Sequence, residues 1–302
     1  MKYALLLISR FIALIVFIAV SVEMNAQNTS YSANTGSIGG TGSTAFGVEA
    51  LNSNTGSGNV ANGYRALYLN TTGDYNIGIG YGSLRNNTTA SYNTAIGYAS
   101  LYSNTTGGTN TANGFRALYF NTTGNENTAV GYSSLYSNIT GVNNTGVGHE
   151  TLFSNTTGND NTANGHGALY TNITGSYNMA SGYSALYFNT TGSYNTANGF
   201  FALRFNNTGN NNTATGNQSL YFNSTGGNNT ATGNETLYAN TEGNSNTANG
   251  YKALNANTSG SYNTANGRGS LLLNTTGNNN TAYGYKSLQQ NIVGNYNVAI
   301  GD

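Results

Sequence analysis

An asparagine recurs every 17 residues along this chain, from Asn59 to Asn297, without exception. Fourteen full copies of the repeat therefore fill residues 59–296. We number the repeat positions 1 to 17 from this asparagine, so that residues 110–126 read NTANGFRALYFNTTGNE. A chain with this periodicity repeats one structural unit and buries its apolar positions against neighbouring copies.

Some repeat positions hardly vary between copies. Position 5 is always Gly and position 12 is always Asn, while position 8 is Ala, Ser or Thr. Position 3 is Ala except for Gly78 and Gly146, and position 15 is Gly except for Ala90. Position 9 is the one large apolar residue that never changes, so we predict that it forms the core. The residues at position 9 are Leu67, Leu84, Leu101, Leu118, Leu135, Leu152, Leu169, Leu186, Leu203, Leu220, Leu237, Leu254, Leu271 and Leu288.

The spacing of these positions favours short strands. A 17-residue period is too short for a pair of helices, and Gly and Asn every few residues would break any helix. Residues 111–113 and 117–119 can form strands between Asn and Gly turns, because both residue types tolerate a left-handed backbone. One coil per 17 residues would stack each position about 4.8 Å above its previous copy. We therefore predict an all-β fold, a parallel β-solenoid (β-roll or β-helix) about 70 Å long, with hydrogen-bonded ladders of Asn side chains.

The N-terminal residues differ in composition from the repeats. Residues 1–26 combine Lys2 and Arg10 with an apolar run over 11–20 and end in Ala26. This pattern is typical of a secretory signal peptide. We expect cleavage after Ala26 and a mature chain that is secreted or held at the cell surface. The alternative is an uncleaved membrane anchor, which the shortness of the apolar run disfavours.

The remainder of the chain forms a single predicted domain. Residues 27–42 resemble a degenerate first copy, which we expect to act as a cap. Residues 43–302 form the repeat domain, which begins with a copy one residue short at 43–58. The last copy stops six residues after it begins, which suggests a truncated gene or a detached fragment.

Composition excludes several classes of function. The 9 Lys and Arg residues balance 9 Asp and Glu residues, so a basic surface for nucleic acid is not expected. The chain has no Cys, which rules out disulfides and thiolate chemistry. His149 and His166 lie one repeat apart at position 6, but two histidines without a third ligand make a poor metal site. We predict no catalytic residue, no cofactor, no metal, no enzymatic activity and no membrane insertion of the mature chain.

Aromatic residues concentrate at positions 6 and 10, and such stripes usually pair with another surface. Positions 6, 7 and 10 also carry charged residues such as Arg65, Arg116 and Glu150. Because an unpaired buried charge is costly, we expect this surface to be at least partly wet. A Tyr ring with a hydroxyl at its tip is suited to stacking on sugars. The candidate adhesive residues are Tyr68, Tyr102, Tyr119, Tyr136, Tyr170, Tyr187, Tyr221 and Tyr238.

Positions 13 and 14, usually Thr-Thr, form a second polar stripe. A flat array of Thr could bind ice or a polysaccharide. Alternatively, these β-branched residues simply pack well beside a turn.

The strings NTAIG at 93–97 and NVAIG at 297–301 carry a family resemblance. Together with the small residue and Leu that follow in each copy, they resemble the head repeats of trimeric autotransporter adhesins. The resemblance implies a β-roll, a side-by-side homotrimer, and binding to host or matrix surfaces. We therefore expect an exported structural or adhesive fibre segment that attaches to a surface glycan or matrix ligand through many weak contacts. The alternative function is an ice- or polysaccharide-binding solenoid that uses its Thr or Tyr stripe.

Overall fold

A computed structural model describes residues 29–30 and 40–301 of the chain. The predicted signal peptide, residues 1–26, lies outside the described residues, as does most of the predicted cap at 27–42. Within the described part, all regular secondary structure is β, arranged as one parallel sheet of short strands. The first strand, β1 at Thr29–Ser30, pairs with the strand of the first repeat copy.

The other sixteen strands share one place in the repeat, positions 2 to 4. Consecutive strands pair in parallel, so that Thr111 lies beside Thr128 and Ala112 beside Ala129. The offset is 17 residues except at the first of these pairs, where Thr44 lies beside Val60. The predicted all-β parallel solenoid with one coil per repeat is therefore confirmed. The strands are β2 Thr44–Phe46, β3 Val60–Asn62, β4 Ile77–Ile79, β5 Thr94–Ile96, β6 Thr111–Asn113, β7 Thr128–Val130, β8 Thr145–Val147, β9 Thr162–Asn164, β10 Met179–Ser181, β11 Thr196–Asn198, β12 Thr213–Thr215, β13 Thr230–Thr232, β14 Thr247–Asn249, β15 Thr264–Asn266, β16 Thr281–Tyr283 and β17 Val298–Ile300.

The second strand predicted for each coil is absent from the described residues. Residues 117–119 form turns, and Leu118 has a left-handed backbone with a φ of 52°. A left-handed conformation costs a side-chain-bearing residue about 1–2 kcal/mol. In return the Leu118 amide donates to the Ser134 carbonyl of the next coil at 3.0 Å, and its side chain enters the core. Contacts between coils thus override local preference at position 9.

The corners also differ from the expectation that Asn adopts the left-handed backbone. The buried asparagines at positions 1 and 12 have no positive φ. The left-handed residues lie at positions 7, 9 and 17, whatever their type, and the Gly at position 5 also has a positive φ. The asparagines at positions 1 and 12 instead form hydrogen bonds through their side-chain amides, which must point into the coil.

Leu and small residues fill the interior of the solenoid. The position-9 leucines from Leu67 to Leu271 are fully buried, together with the Ala residues of position 3 from Ala61 to Ala282. Leu288 is only partly buried and packs against this core. Each buried Leu contributes about 1.5–3 kcal/mol of apolar transfer free energy.

The predicted Asn ladders are present at both positions. At position 12, the Asn138 Nδ2 donates to Asn121 Oδ1 at 2.8 Å and to the Gly141 carbonyl at 3.0 Å. The Asn138 Oδ1 accepts from Asn155 Nδ2 at 2.8 Å. A buried polar group without a hydrogen-bond partner costs more free energy than one hydrogen bond contributes. A shift of one coil against the next would leave these amides unpaired, so the ladder fixes how the coils align.

The position-1 ladder involves the backbone as well. The Asn127 amide donates to Asn110 Oδ1 at 2.9 Å, while the Asn127 Nδ2 donates to the Gly141 carbonyl at 2.8 Å. The Gly141 carbonyl therefore accepts from both ladders. The two rows of amides hold the position-15 corner of every coil in place.

Candidate binding surfaces

The aromatic residues of position 6 from Tyr64 to Phe200 form one continuous stack, which we call the position-6 row. Neighbouring ring centroids are 4.8–5.5 Å apart and the rings are 3–24° from parallel. Its Tyr and Phe side chains are 36–49% exposed. The row comprises Tyr64, Tyr81, Tyr98, Phe115, Tyr132, His149, His166, Tyr183 and Phe200.

The candidate tyrosines of position 10 form a second set of stacks. The rings from Tyr102 to Tyr187, with Phe153 among them, have centroids 4.9–5.4 Å apart. Tyr221 and Tyr238 form a separate pair at 5.2 Å. All of these side chains are half-buried.

Arginines interrupt the position-10 stacks. The Arg85 guanidinium lies 5.5 Å from the ring centroids of both Tyr68 and Tyr102. The Arg204 guanidinium lies 5.9 Å from the Tyr187 centroid, and its Nη1 donates to the Tyr221 hydroxyl at 3.1 Å. These cation–π contacts continue the row across each interruption.

Positions 6, 7, 10 and 11 together make one surface, which we call the aromatic face. The Arg65 guanidinium of position 7 lies 5.0 Å from the Tyr64 ring and 5.4 Å from the Tyr68 ring, and so joins the two rows. Phe120 of position 11 packs edge-on against Tyr119 and Tyr136. The predicted charges are present on this face, and the structure pairs several of them.

The ion pairs of the aromatic face are partly exposed. Arg65 pairs with Glu49, and Lys252 pairs with Glu235 at 3.3 Å. The hydrogen bond from each cation to its carboxylate raises the pKa of that Arg or Lys side chain. Such exposed pairs contribute little to stability, so their main effect is to keep the face mixed in charge.

Stacking determines what the aromatic face offers to a ligand. Within each row both faces of an internal ring are covered by its neighbours, so the expectation that these rings stack on sugars is wrong for most of them. Ring edges and the hydroxyl tips of Tyr remain accessible. Burial raises the pKa of Tyr119, Tyr170 and Tyr238, and neighbouring tyrosines raise it further. These phenols therefore stay protonated at neutral pH and can donate hydrogen bonds.

The two histidines are part of the position-6 row. His149 and His166 stack at 4.8 Å between Tyr132 and Tyr183, with imidazole planes 3° apart. Among residues 29–30 and 40–301, no group of three His, Cys, Asp or Glu side chains could hold a metal ion.

The Thr stripe of position 13 is engaged within the fold. The Thr122 hydroxyl donates to the Ile139 carbonyl of the next coil at 3.1 Å, and most threonines of this position make the equivalent bond. Their hydroxyls therefore help to hold the coils together.

A different Thr row lies on the outside of the strands, and it was not predicted from the sequence. Positions 2 and 4 flank the inward Ala of each strand and carry no charged residue in any copy, and we call this surface the sheet face. The position-2 Thr hydroxyls have no hydrogen-bond partner within the described residues. The alternation of outward Thr and inward Ala in Thr-Ala-x could have revealed the row. These threonines are Thr94, Thr111, Thr128, Thr145, Thr162, Thr196, Thr213, Thr230, Thr247, Thr264 and Thr281.

The fold and its stacked rows define a parallel β-solenoid repeat protein with an aromatic face and an uncharged sheet face. Comparison with known proteins gives no match: no family model, curated protein or solved structure is similar to this chain. Across the part of the chain that the structure describes, no helix has the length and apolar character needed to cross a membrane.

Proposed function

We propose that this protein is an exported attachment rod whose aromatic face binds an extended polysaccharide of a cell surface or matrix. The observation that carries the proposal is the unbroken position-6 row, nine stacked rings from Tyr64 to Phe200 that stay accessible at their edges. A soluble chain rarely exposes so long an apolar surface without a partner.

The spacing of the rings supports a ligand that lies along the rod. The centroids repeat at about 5 Å, because successive strands of a sheet lie about 4.8 Å apart. That distance is close to the length of one sugar unit in an extended polysaccharide. Each coil could then offer one ring edge and one phenol hydroxyl to each sugar. The affinity of each contact is small, and the affinity of the whole array is large.

The test replaces three consecutive tyrosines of position 10, Tyr102, Tyr119 and Tyr136, with Ser. Polysaccharide binding by the purified protein should fall about tenfold, if each lost contact is worth roughly 0.5 kcal/mol and 1.4 kcal/mol is tenfold. The circular dichroism spectrum should remain that of the unchanged protein.

The matched control changes three residues of the same coils outside the aromatic face. Thr94→Ser, Thr111→Ser and Thr128→Ser together should leave polysaccharide binding unchanged. If the Tyr variant binds as well as its parent, the position-10 row is not part of the binding surface. If the Tyr variant unfolds, the position-10 row is a structural element or an intersubunit contact, and the assignment fails.

We infer that the rod is a side-by-side homotrimer. The support is the resemblance of 93–97 and 297–301 to trimeric adhesin heads, together with the large apolar side chains left exposed on one chain. Light scattering on the purified protein should give the mass of three chains. The mass of one chain would contradict the trimer, but it would not affect the proposed binding role of the aromatic face.

The sheet face favours ice binding as a second candidate function. Its position-2 hydroxyls repeat at about 4.8 Å, face outward without internal partners and have no charged neighbour at positions 2 or 4. Such a row could order water molecules in a regular array. Thermal hysteresis of the purified protein should then be lost when Thr111, Thr128 and Thr145 are changed to Lys, while polysaccharide binding persists. Absence of hysteresis in the unchanged protein would eliminate this candidate.

A further inference from the structure

A small pocket opens on the aromatic face where the repeat pattern changes. Its volume is about 120 Å³, and its lining includes Lys252, Arg268, Lys286 and Gln289. Lys252 and Lys286 occupy position 7 two coils apart, and the residue between them at that position is Gly269. The missing side chain at Gly269 leaves the space between the two lysines.

Side chains cover the other two glycines of position 7, and the comparison with Gly269 explains why this pocket is open. A Cβ at Gly82 would lie 3.2 Å from the ring of Tyr102, and a Cβ at Gly167 would lie 3.1 Å from the ring of Tyr187. Both tyrosines belong to position 10 of the following coil. At Gly269 the corresponding residue is Gln289, and the nearest neighbour of an added Cβ is a Lys286 carbon at 3.6 Å. The pocket thus occupies the volume that a Tyr ring fills elsewhere.

The pocket is strongly cationic in a chain whose net charge is zero. The Arg268 guanidinium lies between the rings of Tyr251 and Tyr285, 5.3 and 6.0 Å from their centroids. Lys252 pairs with Glu235 at 3.3 Å. The side chains of Arg268 and Lys286 have no hydrogen-bond or ion-pair partner among residues 29–30 and 40–301. Arg268 and Lys286 therefore bring two positive charges to the pocket that no carboxylate pairs with, whereas Glu235 pairs with Lys252.

We propose that this pocket binds an oxyanion group of an acidic polysaccharide, either a sulfate ester or a uronate carboxylate. The inference rests on the proposed function, because the aromatic face would bring the polysaccharide to the pocket. The planar guanidinium of Arg268 matches the paired oxygens of such a group, and the lysines add point charges. Held between two tyrosines, Arg268 is already ordered before the ligand arrives.

The first experiment compares three polysaccharides with the purified full chain: dextran, dextran sulfate and alginate. Dextran is neutral, dextran sulfate carries sulfate esters and alginate carries carboxylates. We expect one or both anionic polymers to bind at least tenfold more tightly than dextran, with the difference shrinking as salt is raised. The double change Arg268→Gln and Lys286→Gln should reduce anionic binding to the level of dextran, about tenfold or more, and should leave dextran binding unchanged.

Two further variants separate a formed pocket from a general positive charge. Gln289→Tyr restores the residue that covers Gly82 and Gly167, so it should close the pocket and abolish the anionic preference with every charge kept. The double change Arg85→Gln and Arg116→Gln removes two positive charges elsewhere on the aromatic face, and it should not alter the preference.

The outcomes distinguish this inference from the function on which it rests. Equal binding of neutral and anionic polymers would contradict the proposal of an oxyanion pocket and would leave the proposed function intact. Equal losses from the Arg85→Gln, Arg116→Gln variant and from the Arg268→Gln, Lys286→Gln variant would also overturn it, since binding would then follow total charge. If no polysaccharide binds, the proposed function fails. In that case, binding of inorganic sulfate that the double variant and Gln289→Tyr abolish would still support an oxyanion pocket.

Discussion

The Asn ladder of position 12 predicts a large loss of stability from the single change Asn138→Ala. Asn138 is fully buried and takes part in three hydrogen bonds, two donated by its Nδ2 and one accepted by its Oδ1. Ala removes all three. The Asn121 Oδ1 then loses its partner inside the coil, whereas the Gly141 carbonyl keeps its bond from Asn127.

The expected cost follows from these bonds. Each contributes a net of about 1 kcal/mol, so their loss removes about 3 kcal/mol from the free energy of unfolding. The unpaired Asn121 oxygen raises the cost to roughly 3–4 kcal/mol. A single domain is typically stable by about 5–15 kcal/mol, so the effect would be easy to detect.

Urea unfolding followed by circular dichroism measures the effect. The coils interact mainly with their neighbours, so the variant should also unfold in two steps if the weakened coil divides the rod. Hydrogen exchange would then show faster opening around residues 121–155 than at either end of the solenoid.

Asn113→Ala is the matched control, because Asn113 is an exposed residue of position 4 in the neighbouring coil. Its substitution should change the free energy of unfolding by less than about 0.5 kcal/mol. If Asn138→Ala costs no more than Asn113→Ala, the buried ladder does not hold the coils together.

Three further predictions concern the backbone and the tyrosines. Thr109 is exposed and has a left-handed φ of 55°. Because Asn tolerates this conformation better than Thr, Thr109→Asn should raise the free energy of unfolding in urea by about 0.5–1 kcal/mol. A loss of stability would contradict the argument. Gly131 has a φ of 125°, and a Cβ added to it would lie 2.3 Å from the Gly148 carbonyl oxygen. Gly131→Ala should therefore lower the free energy of unfolding by more than about 2 kcal/mol. A smaller effect would mean that the coils separate easily. Burial raises the pKa of Tyr119 above its ordinary value of about 10, so at high pH the folded protein keeps a proton that the unfolded chain releases. Stability should therefore be unaffected by this group below pH 10 and should fall as pH rises above it, as urea unfolding at pH about 9 and about 11 would show; unchanged stability at the higher pH would refute it.

The features that depend on the period were predictable from the sequence. A 17-residue register brings Asn121 next to Asn138 and Leu118 next to Leu135, so both the ladders and the apolar core follow without knowledge of the path within a coil. The aromatic rows follow in the same way. Their stacking was a direct consequence of the register, and it leaves edges and hydroxyls accessible where flat ring faces were expected.

The path within a coil was not predictable from local preference. Leu118 has a left-handed backbone that Leu ordinarily avoids, and its bond to the next coil and the burial of its side chain explain this. The cationic pocket was equally hidden. It requires Gly269 and Gln289, twenty residues apart, to be neighbours on adjacent coils.

Affinity as a function of glycan length tests the central proposal most directly. The purified protein would be titrated with oligosaccharides of increasing length, prepared from the polysaccharide that it binds best. A ligand lying along the aromatic face should gain affinity with each added sugar over many units, since each new sugar meets another coil. An affinity that stops rising after one or two sugars would place binding in a single small site and would contradict the account.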